Sequence, residues 1–263
     1  MELEIFVVDA FSKKRFGGNS AAVIVLDDWL EVAVMQSIAA ENNLSETAFV
    51  KPLGGNRYFI RWFSPLTEID FCGHATLASS FVLFNYLNVR EDIHFETLEV
   101  GILTVTQEAD SRIVMSFPNQ KPETVNEIPQ NLLDGLTIKP VQVLKNRQAY
   151  VAVLASEDDV EKVEYRTDLL KTLSPLDVVV TAQGSEYDFV SRYFWPDNGG
   201  LEDPVTGSIH AGLAPYWSEQ LGKSELVAFQ ASKRGGVLYC SLEKDRVLVS
   251  GYGVLYLRGS INI

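Results

Sequence analysis

The 263-residue sequence is poor in cysteine, histidine and basic residues. It contains two cysteines and three histidines, and its 22 lysines and arginines are outnumbered by 35 aspartates and glutamates, for a formal net charge of −13. Nucleic acid and anionic membrane surfaces both select basic faces, so we expect neither as a partner. Cys72 and Cys240 lie in unlike contexts, which does not indicate a disulfide framework.

Long apolar runs are also missing. No run approaches the length of about 18 residues that a membrane-spanning helix needs, and residues 1–4 are acidic where a secretory signal peptide is basic. We therefore expect a cytoplasmic protein. The composition, 46% hydrophobic and 22% charged, is typical of a globular chain that is long enough for one large domain or two ordinary ones.

The two halves of the sequence resemble each other. Residues 61–65 read Arg-Trp-Phe-Ser-Pro, and residues 192–196, 131 positions later, read Arg-Tyr-Phe-Trp-Pro. Each copy is followed by acidic residues and by a segment that begins with glycine, at Gly73 and at Gly207. These glycines are 134 positions apart, so the second copy carries a three-residue insertion. A period of this length indicates two duplicated domains and not a solenoid.

Short strands and a few helices are predicted in each half. In the first half we expect a helix over about residues 29–41, begun by a capping box at Asp28, and a buried central helix over 75–87. In the second half a helix opens at Gly207, and Pro215 should kink or interrupt it. Because strands follow strands so often, the pattern indicates an α+β fold and not a doubly wound sheet.

The domain boundary is predicted in the polar, proline-bearing stretch 118–129. This division gives an N-terminal domain over 1–118 and a C-terminal domain over 119–263, with a strand near 252–263 free to return to the first domain. Each domain is expected to contain one central and one peripheral helix. The peripheral helix of the second domain is predicted near 168–173.

The two glycine-led helix starts are candidate anion sites. A helix N-terminus offers free N–H groups and a partial positive charge, which together bind a carboxylate or phosphate. Gly73 and Gly207 occur in matching contexts, which favours a shared function. The alternative is that each glycine only permits a tight turn between a strand and a helix.

Glu46 is a candidate general base. It stands at a strand start among Leu44, Ala48 and Phe49, and apolar neighbours would strip water from its carboxylate and make it more basic. The alternative is a glutamate at a strand edge in water, which on the residues alone is the simpler interpretation.

Cysteine and histidine offer further candidates near the helix starts. Cys72 is either a thiolate base or a buried, unreactive cysteine, and its repeat partner Thr206 cannot act as a base, which excludes a symmetric two-thiol mechanism. His74 is interpreted as a proton carrier or substrate contact. For His210, a functional role and a place in the buried core are equally good interpretations. His-X-His and Cys-X-X-Cys spacings are missing, so we expect no metal site.

Asp203 and Ser208 flank the second helix start. Both are candidates for a functional site, and either can instead cap the helix. The sequence has no P-loop, no dinucleotide-binding fingerprint and no Gly-X-Ser-X-Gly elbow, so nucleotide, nicotinamide and serine-hydrolase functions lack support.

Six segments spread over most of the chain carry a family resemblance. They are Phe-Val-Val-Asp-Ala-Phe at 6–11, Gly-Asn and Ala-Ala-Val at 18–23, Leu-Ser-Glu-Thr-Ala-Phe at 44–49, Arg-Trp-Phe with proline at 61–65, Cys-Gly-His-Ala-Thr-Leu-Ala at 72–78, and Glu-Asp-Pro-Val-Thr-Gly-Ser at 202–208. In this order they resemble the phenazine-biosynthesis isomerase family, the PhzF-like proteins, within the diaminopimelate-epimerase fold superfamily.

The resemblance implies two similar domains, each a curved sheet wrapped around a central helix, with the active site in the cleft between them. It also implies a homodimer without a cofactor. By motif position Glu46 matches the catalytic acid/base, and His74 and Asp203 match residues that assist proton movement. The positions that match substrate-binding residues are Asn19, Gly73, Gly207 and Ser208.

These observations predict a cofactor-independent isomerase. Glu46 would move one proton on a small carboxylate-bearing substrate, as in the isomerisation of trans-2,3-dihydro-3-hydroxyanthranilate in phenazine biosynthesis. One alternative is a racemase or epimerase of a small amino or hydroxy acid that uses Cys72 as a second base. The other is a protein that binds a small acid without turnover.

Overall fold

The computed structural model describes residues 1–196 and 202–263 and divides the chain into two units. The first comprises Met1–Ser116 together with Ser250–Ile263, and the second comprises Phe117–Val249. The sequence-based division carried the second domain to 263 and left open whether a strand near 252–263 returns to the first. The last strand does return, because it pairs with the first strand of the chain along its whole length.

The first unit is built from nine strands and two helices. The strands are β1 Glu2–Ala10, β2 Asn19–Val25, β3 Glu46–Gly54, β4 Arg57–Phe63, β5 Glu68–Ile69, β6 Ile93–Glu96, β7 Ile102–Gln107, β8 Ile113–Pro118 and the returning β18 Gly253–Asn262, and the helices are α1 Val32–Asn42 and α2 Gly73–Tyr86.

The described part of the second unit contains nine strands and several short helices. The strands are β9 Glu123–Thr124, β10 Gln142–Lys145, β11 Ala149–Val153, β12 Asp177–Gln183, β13 Phe189–Phe194, β14 Glu202–Asp203, β15 Glu225–Gln230, β16 Gly236–Glu243 and β17 Arg246–Gly251. The helices are α3 Gln130–Asp134, α4 Glu157–Lys162, α5 Thr167–Leu170, followed by a 3-10 turn at Lys171–Leu173, and α6 His210–Leu221.

The same strand connections occur in both units. In the first unit, β18, β1 and β2 pair antiparallel, β2 and β3 pair parallel, and β3 pairs antiparallel with β4, which then pairs with β5 and, in parallel, with β6. In the second unit, β9 to β15 repeat this order of antiparallel and parallel pairs. The duplication seen in the sequence is therefore a duplication of topology. The predicted three-residue insertion falls between Pro196 and Glu202, and residues 197–201 lie outside the described part of the chain.

The central helix of the first unit is buried on nearly every side. Along α2, eleven residues between Gly73 and Phe84 are buried, and the helix packs on β1, β2 and β3. No helix among the described residues is long and apolar enough to cross a membrane.

The corresponding helix of the second unit passes through a proline without a break, and the prediction that Pro215 interrupts it is wrong. A proline at this position leaves the carbonyl oxygen of Ala211, four residues earlier, without its helical N–H partner. The backbone N–H of Gln120 donates to that oxygen at 3.0 Å. Because a neighbouring segment supplies the missing donor, α6 continues.

Two predictions about the peripheral helices are also wrong. The capping box at Asp28 does not form, because the Asp28 carboxylate accepts the N–H of Trp29 and the ammonium of Lys51, so α1 begins at Val32. The second unit has α3 and α4 in addition to the predicted helix near 168–173. The start of α4 was encoded in the sequence, since Ser156 caps it by accepting the N–H of Asp159 at 3.2 Å.

Candidate active site

Glu46 begins β3, and its carboxylate is buried. β3 lies between β2 and β4, and its register places Glu46 beside Ala21, which is fully buried. Glu46 is 2% exposed. The alternative of a water-exposed glutamate at a strand edge is therefore wrong. A carboxylate removed from water in this way needs a charged or hydrogen-bonding partner.

The imidazole of His74, in the first turn of α2, faces this carboxylate. Its Nε2 lies 2.8 Å from Glu46 Oε2, and both side chains are at most 5% exposed. Glu46 Oε2 nevertheless has no hydrogen-bond partner among the described residues, which indicates that the ring N–H is not directed at this oxygen. A buried carboxylate oxygen with no donor aligned on it is arranged to accept a proton from a third group.

Asn19 and Ser45 set the orientation of the His74 ring. Ser45 Oγ donates to Asn19 Oδ1 at 3.0 Å, so the amide presents its NH₂ group to His74 Nδ1, 3.1 Å away. Because Nδ1 accepts this hydrogen bond, the neutral ring carries its proton on Nε2, the nitrogen beside Glu46. The structure thus brings Asn19, Glu46 and His74 into one cluster.

Cys72 is the N-cap residue of α2 and completes the cluster. Its Sγ lies 3.4 Å from His74 Nδ1, and the residue is 6% exposed. The lone pair of His74 Nδ1 already accepts from Asn19, so this nitrogen does not act as a base toward the thiol. The geometry therefore favours a buried cysteine over an activated thiolate.

The same cluster brings together three potential metal ligands. One ligand atom each of Glu46, Cys72 and His74 lie within 4.8 Å of one another, and all three residues are buried. Thiolate, imidazole and carboxylate are ligands that zinc accepts. Sequence spacing did not indicate this set, because Glu46 reaches the other two residues only through the fold.

The two glycine-led starts differ in the structure. Gly73 is the first residue of α2, as predicted. Gly207 opens a tighter turn whose N–H groups bond carbonyls three residues earlier, and α6 itself begins at His210. Ile209, the N-cap residue of α6, makes no side-chain cap, so Ser208 does not act there as the helix cap.

Asp203 lies in the second unit and is bound to the turn that precedes Gly207. Thr206 Oγ1 donates to Asp203 Oδ2 at 2.5 Å. Gln230, which is fully buried, donates to the Asp203 carbonyl at 2.7 Å and accepts the Thr206 N–H at 2.8 Å. Asp203 is 7% exposed, so this network holds a carboxylate away from bulk water.

Ser208 has different partners from Asp203. Its hydroxyl oxygen lies 2.9 Å from Gln148 Nε2, which also lies 3.0 Å from the Tyr193 hydroxyl. Tyr193 in turn donates to Asp177 Oδ2 at 2.6 Å. Burial, followed by the nearby Asp177 carboxylate, raises the pKa of Tyr193 well above its ordinary value, so this phenol stays protonated.

His210 is a core histidine. It is fully buried, its Nδ1 lies 2.8 Å from the Thr206 carbonyl, and it stacks on Phe189. Burial lowers its pKa to about 4, so the ring is neutral at pH 7. This supports the core interpretation that the sequence left open.

The residues that sequence analysis missed are Ser45, Gln148, Asp177 and Tyr193. Ser45 and Tyr193 lie in the motif segments 44–49 and 192–196. Asp177 also had a signal, since it stands 131 positions after Glu46, the same offset that separates the two Arg-aromatic-Phe segments. The strand registers agree with this offset, because Thr47 pairs with Phe63 and Val178 pairs with Phe194. Asp177 is therefore the repeat partner of Glu46.

Comparison with known proteins identifies the family. The family model for phenazine biosynthesis-like proteins, PhzC-PhzF, matches residues 8–259. The chain belongs to this family. A protein of Pseudomonas aeruginosa, named as an uncharacterized isomerase, is 45% identical over 264 residues and is matched over 100% of both chains. Relatives with this name support an isomerase activity.

Solved structures agree with the PhzC-PhzF assignment. The crystal structure of a PhzF-family phenazine biosynthesis protein from Enterococcus faecalis is similar to this chain with a TM-score of 0.94 and 43% identity, over 100% of both chains. A hydroxyproline epimerase from Agrobacterium vitis is similar with a TM-score of 0.61 at 9% identity, covering 99% of this chain and 92% of its own. The second likeness concerns the fold alone, which is of the α+β class that the sequence predicted.

Proposed function

We propose that this PhzC-PhzF protein is a cofactor-independent isomerase in which Glu46 removes and returns one proton on a small carboxylate-bearing substrate. The observation that carries the proposal is the state of the Glu46 carboxylate. It is 2% exposed, lies 2.8 Å from an imidazole nitrogen and has no hydrogen-bond partner at Oε2 among the described residues. Such a carboxylate is desolvated and available to a substrate proton.

His74 would assist the proton transfer. With its proton on Nε2, 2.8 Å from Glu46 Oε2, the ring would donate to the Glu46 carboxylate as negative charge returns there. Ser45 and Asn19 keep the tautomer that this role requires, because they engage Nδ1. Within the proposal, His74 is therefore the residue that stabilises the ionised form of Glu46.

The substrate class follows from the surroundings of the base. Gly73 begins the fourteen-residue helix α2, and the N-terminus of such a helix attracts a carboxylate. The proposal retains the predicted roles of Asp203 in proton movement and of Asn19, Gly207 and Ser208 in substrate binding. It also retains trans-2,3-dihydro-3-hydroxyanthranilate as the first compound to test, and a homodimer as the expected assembly.

The test is NMR in deuterated water with trans-2,3-dihydro-3-hydroxyanthranilate, for wild type, Glu46→Gln and Glu41→Gln. Glu41 is an exposed residue at the end of α1 and serves as the matched control. We expect rearrangement with deuterium uptake in wild type and in the control, and a loss of about 10³- to 10⁴-fold in Glu46→Gln. Unchanged turnover in Glu46→Gln would remove this residue from the mechanism.

The racemase alternative depends on Cys72. Its thiol lies 3.4 Å from His74 Nδ1, in the same cluster as Glu46, so Cys72 is the residue to test as a second base. A Cys72→Ser variant should keep its activity, because the proposal gives the thiol no proton to move. If Cys72→Ser abolishes exchange, the racemase mechanism replaces the proposal. If the substrate stabilises the protein without any exchange, the protein binds small acids without turnover.

A further inference from the structure

The second unit contains a chain of four hydrogen-bonding side chains, of which only Ser208 belongs to the predicted machinery. It runs from Asp177 through Tyr193 and Gln148 to Ser208, with distances of 2.6, 3.0 and 2.9 Å between successive partners. Tyr193 is 2% exposed, and the backbone N–H of Asp177 donates to the Gln148 carbonyl at 3.1 Å. The chain is thus anchored in neighbouring strand ends.

The hydrogen-bonding chemistry of each group sets the direction of this chain. An ionised carboxylate only accepts, so the Tyr193 hydroxyl must donate its proton to Asp177. The oxygen of Tyr193 then accepts, so the Gln148 atom facing it must be the NH₂ group. The same NH₂ group faces Ser208, whose oxygen accepts in turn.

The end of the chain has a consequence for Ser208. Its oxygen accepts from Gln148, and no described residue accepts its hydroxyl proton. The Ser208 hydroxyl can therefore accept from Gln148 through its oxygen and donate its proton to a ligand. Since an amide does not relay protons as a carboxylic acid or an imidazole does, the chain orients Ser208 and does not transport a proton.

We propose that Gln148 and Tyr193, anchored on Asp177, are positioning residues that keep Ser208 as a hydrogen-bond donor to the carboxylate of the substrate. This inference rests on the proposed function for the identity of the ligand. A donor held in advance loses less conformational entropy when the ligand binds, and a hydrogen bond to a charged group is stronger than a neutral one. The expected effect of breaking the chain is therefore on binding and not on the chemical step.

The experiment measures the dissociation constant of trans-2,3-dihydro-3-hydroxyanthranilate by calorimetry. Every protein carries Glu46→Gln, so that the compound binds without being consumed. The variants added to it are Ser208→Ala, Tyr193→Phe, both together, and Tyr216→Phe as a control. Tyr216 is a buried tyrosine of α6 whose hydroxyl donates to Gln142. Neither residue belongs to the hydrogen-bonded series from Asp177 to Ser208.

We expect Ser208→Ala to weaken binding by about 10- to 100-fold and Tyr193→Phe by about 5- to 20-fold. If Tyr193 acts through Ser208, the double variant binds no more weakly than Ser208→Ala alone. Tyr216→Phe should bind as the parent does. In the Glu46-containing background, Tyr193→Phe should raise KM and leave kcat within about twofold.

Two results would overturn the inference. One is additivity, in which the losses from Ser208→Ala and Tyr193→Phe multiply in the double variant, because a merely structural role of Tyr193 predicts this. The other is failure of the parent protein to bind the compound at all. Retained turnover in Glu46→Gln would instead contradict the proposed function, and the KM values of the same variants would then report on Ser208.

Discussion

The two halves of this protein place a carboxylate at the start of corresponding strands but surround it differently. Glu46, at the start of β3, is 2% exposed and faces the imidazole of His74. Asp177, at the start of β12, is half-buried and accepts from the phenol of Tyr193. An imidazole exchanges protons near neutral pH, whereas a phenol with a raised pKa does not. Duplication preserved the position of the acid, and its neighbour decides its chemistry.

Other features are the same in both halves. Arg61 forms a bidentate ion pair with Glu68, and Arg192 forms one with Glu202. The distances between guanidinium nitrogens and carboxylate oxygens are 2.7 to 2.9 Å. The repeated Arg-aromatic-Phe segment therefore encodes a structural ion pair that joins two adjacent strands of each unit. The comparison separates an ion pair that both halves share from a carboxylate–imidazole pair that the first half has.

The largest expected effect concerns the difference between these two ion pairs. Arg192 also donates to the carbonyls of Val160, Glu161 and Val163 at the end of α4, whereas among the described residues no helix carbonyl accepts from Arg61. We expect Arg192→Met to lower the free energy of unfolding by about 3 kcal/mol and Arg61→Met by about 2 kcal/mol. Urea denaturation of both variants checks this order. Equal losses would show that the helix carbonyls contribute nothing.

A second prediction compares His210 with Thr76, its repeat partner in α2. Both side chains bond the carbonyl four residues earlier, those of Thr206 and Cys72. Only His210 titrates. Its folded-state pKa of about 4 lies below the ordinary value of 6.5, so the unfolded state binds the proton first as the pH falls.

The stability contributed by neutral His210 is therefore complete above pH 6.5 and is lost as the pH falls toward 4. Between pH 6.5 and pH 5, wild type should lose about 2 kcal/mol more than His210→Thr does. Urea denaturation at both pH values measures this difference. The variant serves as its own control, because other titrating groups affect both proteins alike. Parallel pH dependences would contradict a neutral, buried His210.

The smallest expected effect concerns Pro215, whose repeat partner in α2 is Phe81. Replacing a proline inside a helix usually restores a hydrogen bond and increases stability. Here the Ala211 carbonyl already accepts from Gln120, so Pro215→Ala should change the free energy of unfolding by less than about 0.5 kcal/mol. Thermal and urea denaturation of wild type and Pro215→Ala measure this change in the free energy of unfolding. A gain of about 3 kcal/mol would mean that Gln120 does not replace the missing donor.

Much of the fold was predictable from local patterns. The half-chain repeat, the α+β class and the buried central helix α2 all follow from sequence offsets and from apolar runs. The start of α1 was not predictable, because Lys51, on a different strand, binds the carboxylate of Asp28 that was expected to cap the helix. The continuity of α6 depends in the same way on Gln120, which is distant in sequence.

The candidate site was likewise predictable only in part. Glu46, His74 and Asn19 were predicted from motifs, and the registers of β2 and β3 bring them together. Gln148 carries no motif, and Tyr193 is only the aromatic residue of the repeated Arg-aromatic-Phe segment. The roles of both residues depend on the direction of their hydrogen bonds, which only the side-chain geometry shows.

The sequence by itself determined the family, the duplicated plan and the identity of the acid at the start of β3, because these depend on the order and spacing of residues along the chain. The tertiary structure decided that Glu46 is buried beside an imidazole, and that Asp177 starts a chain of hydrogen bonds ending at Ser208. The physical reason is that burial and hydrogen-bond direction are set by groups from distant segments, and those groups are neighbours only after folding.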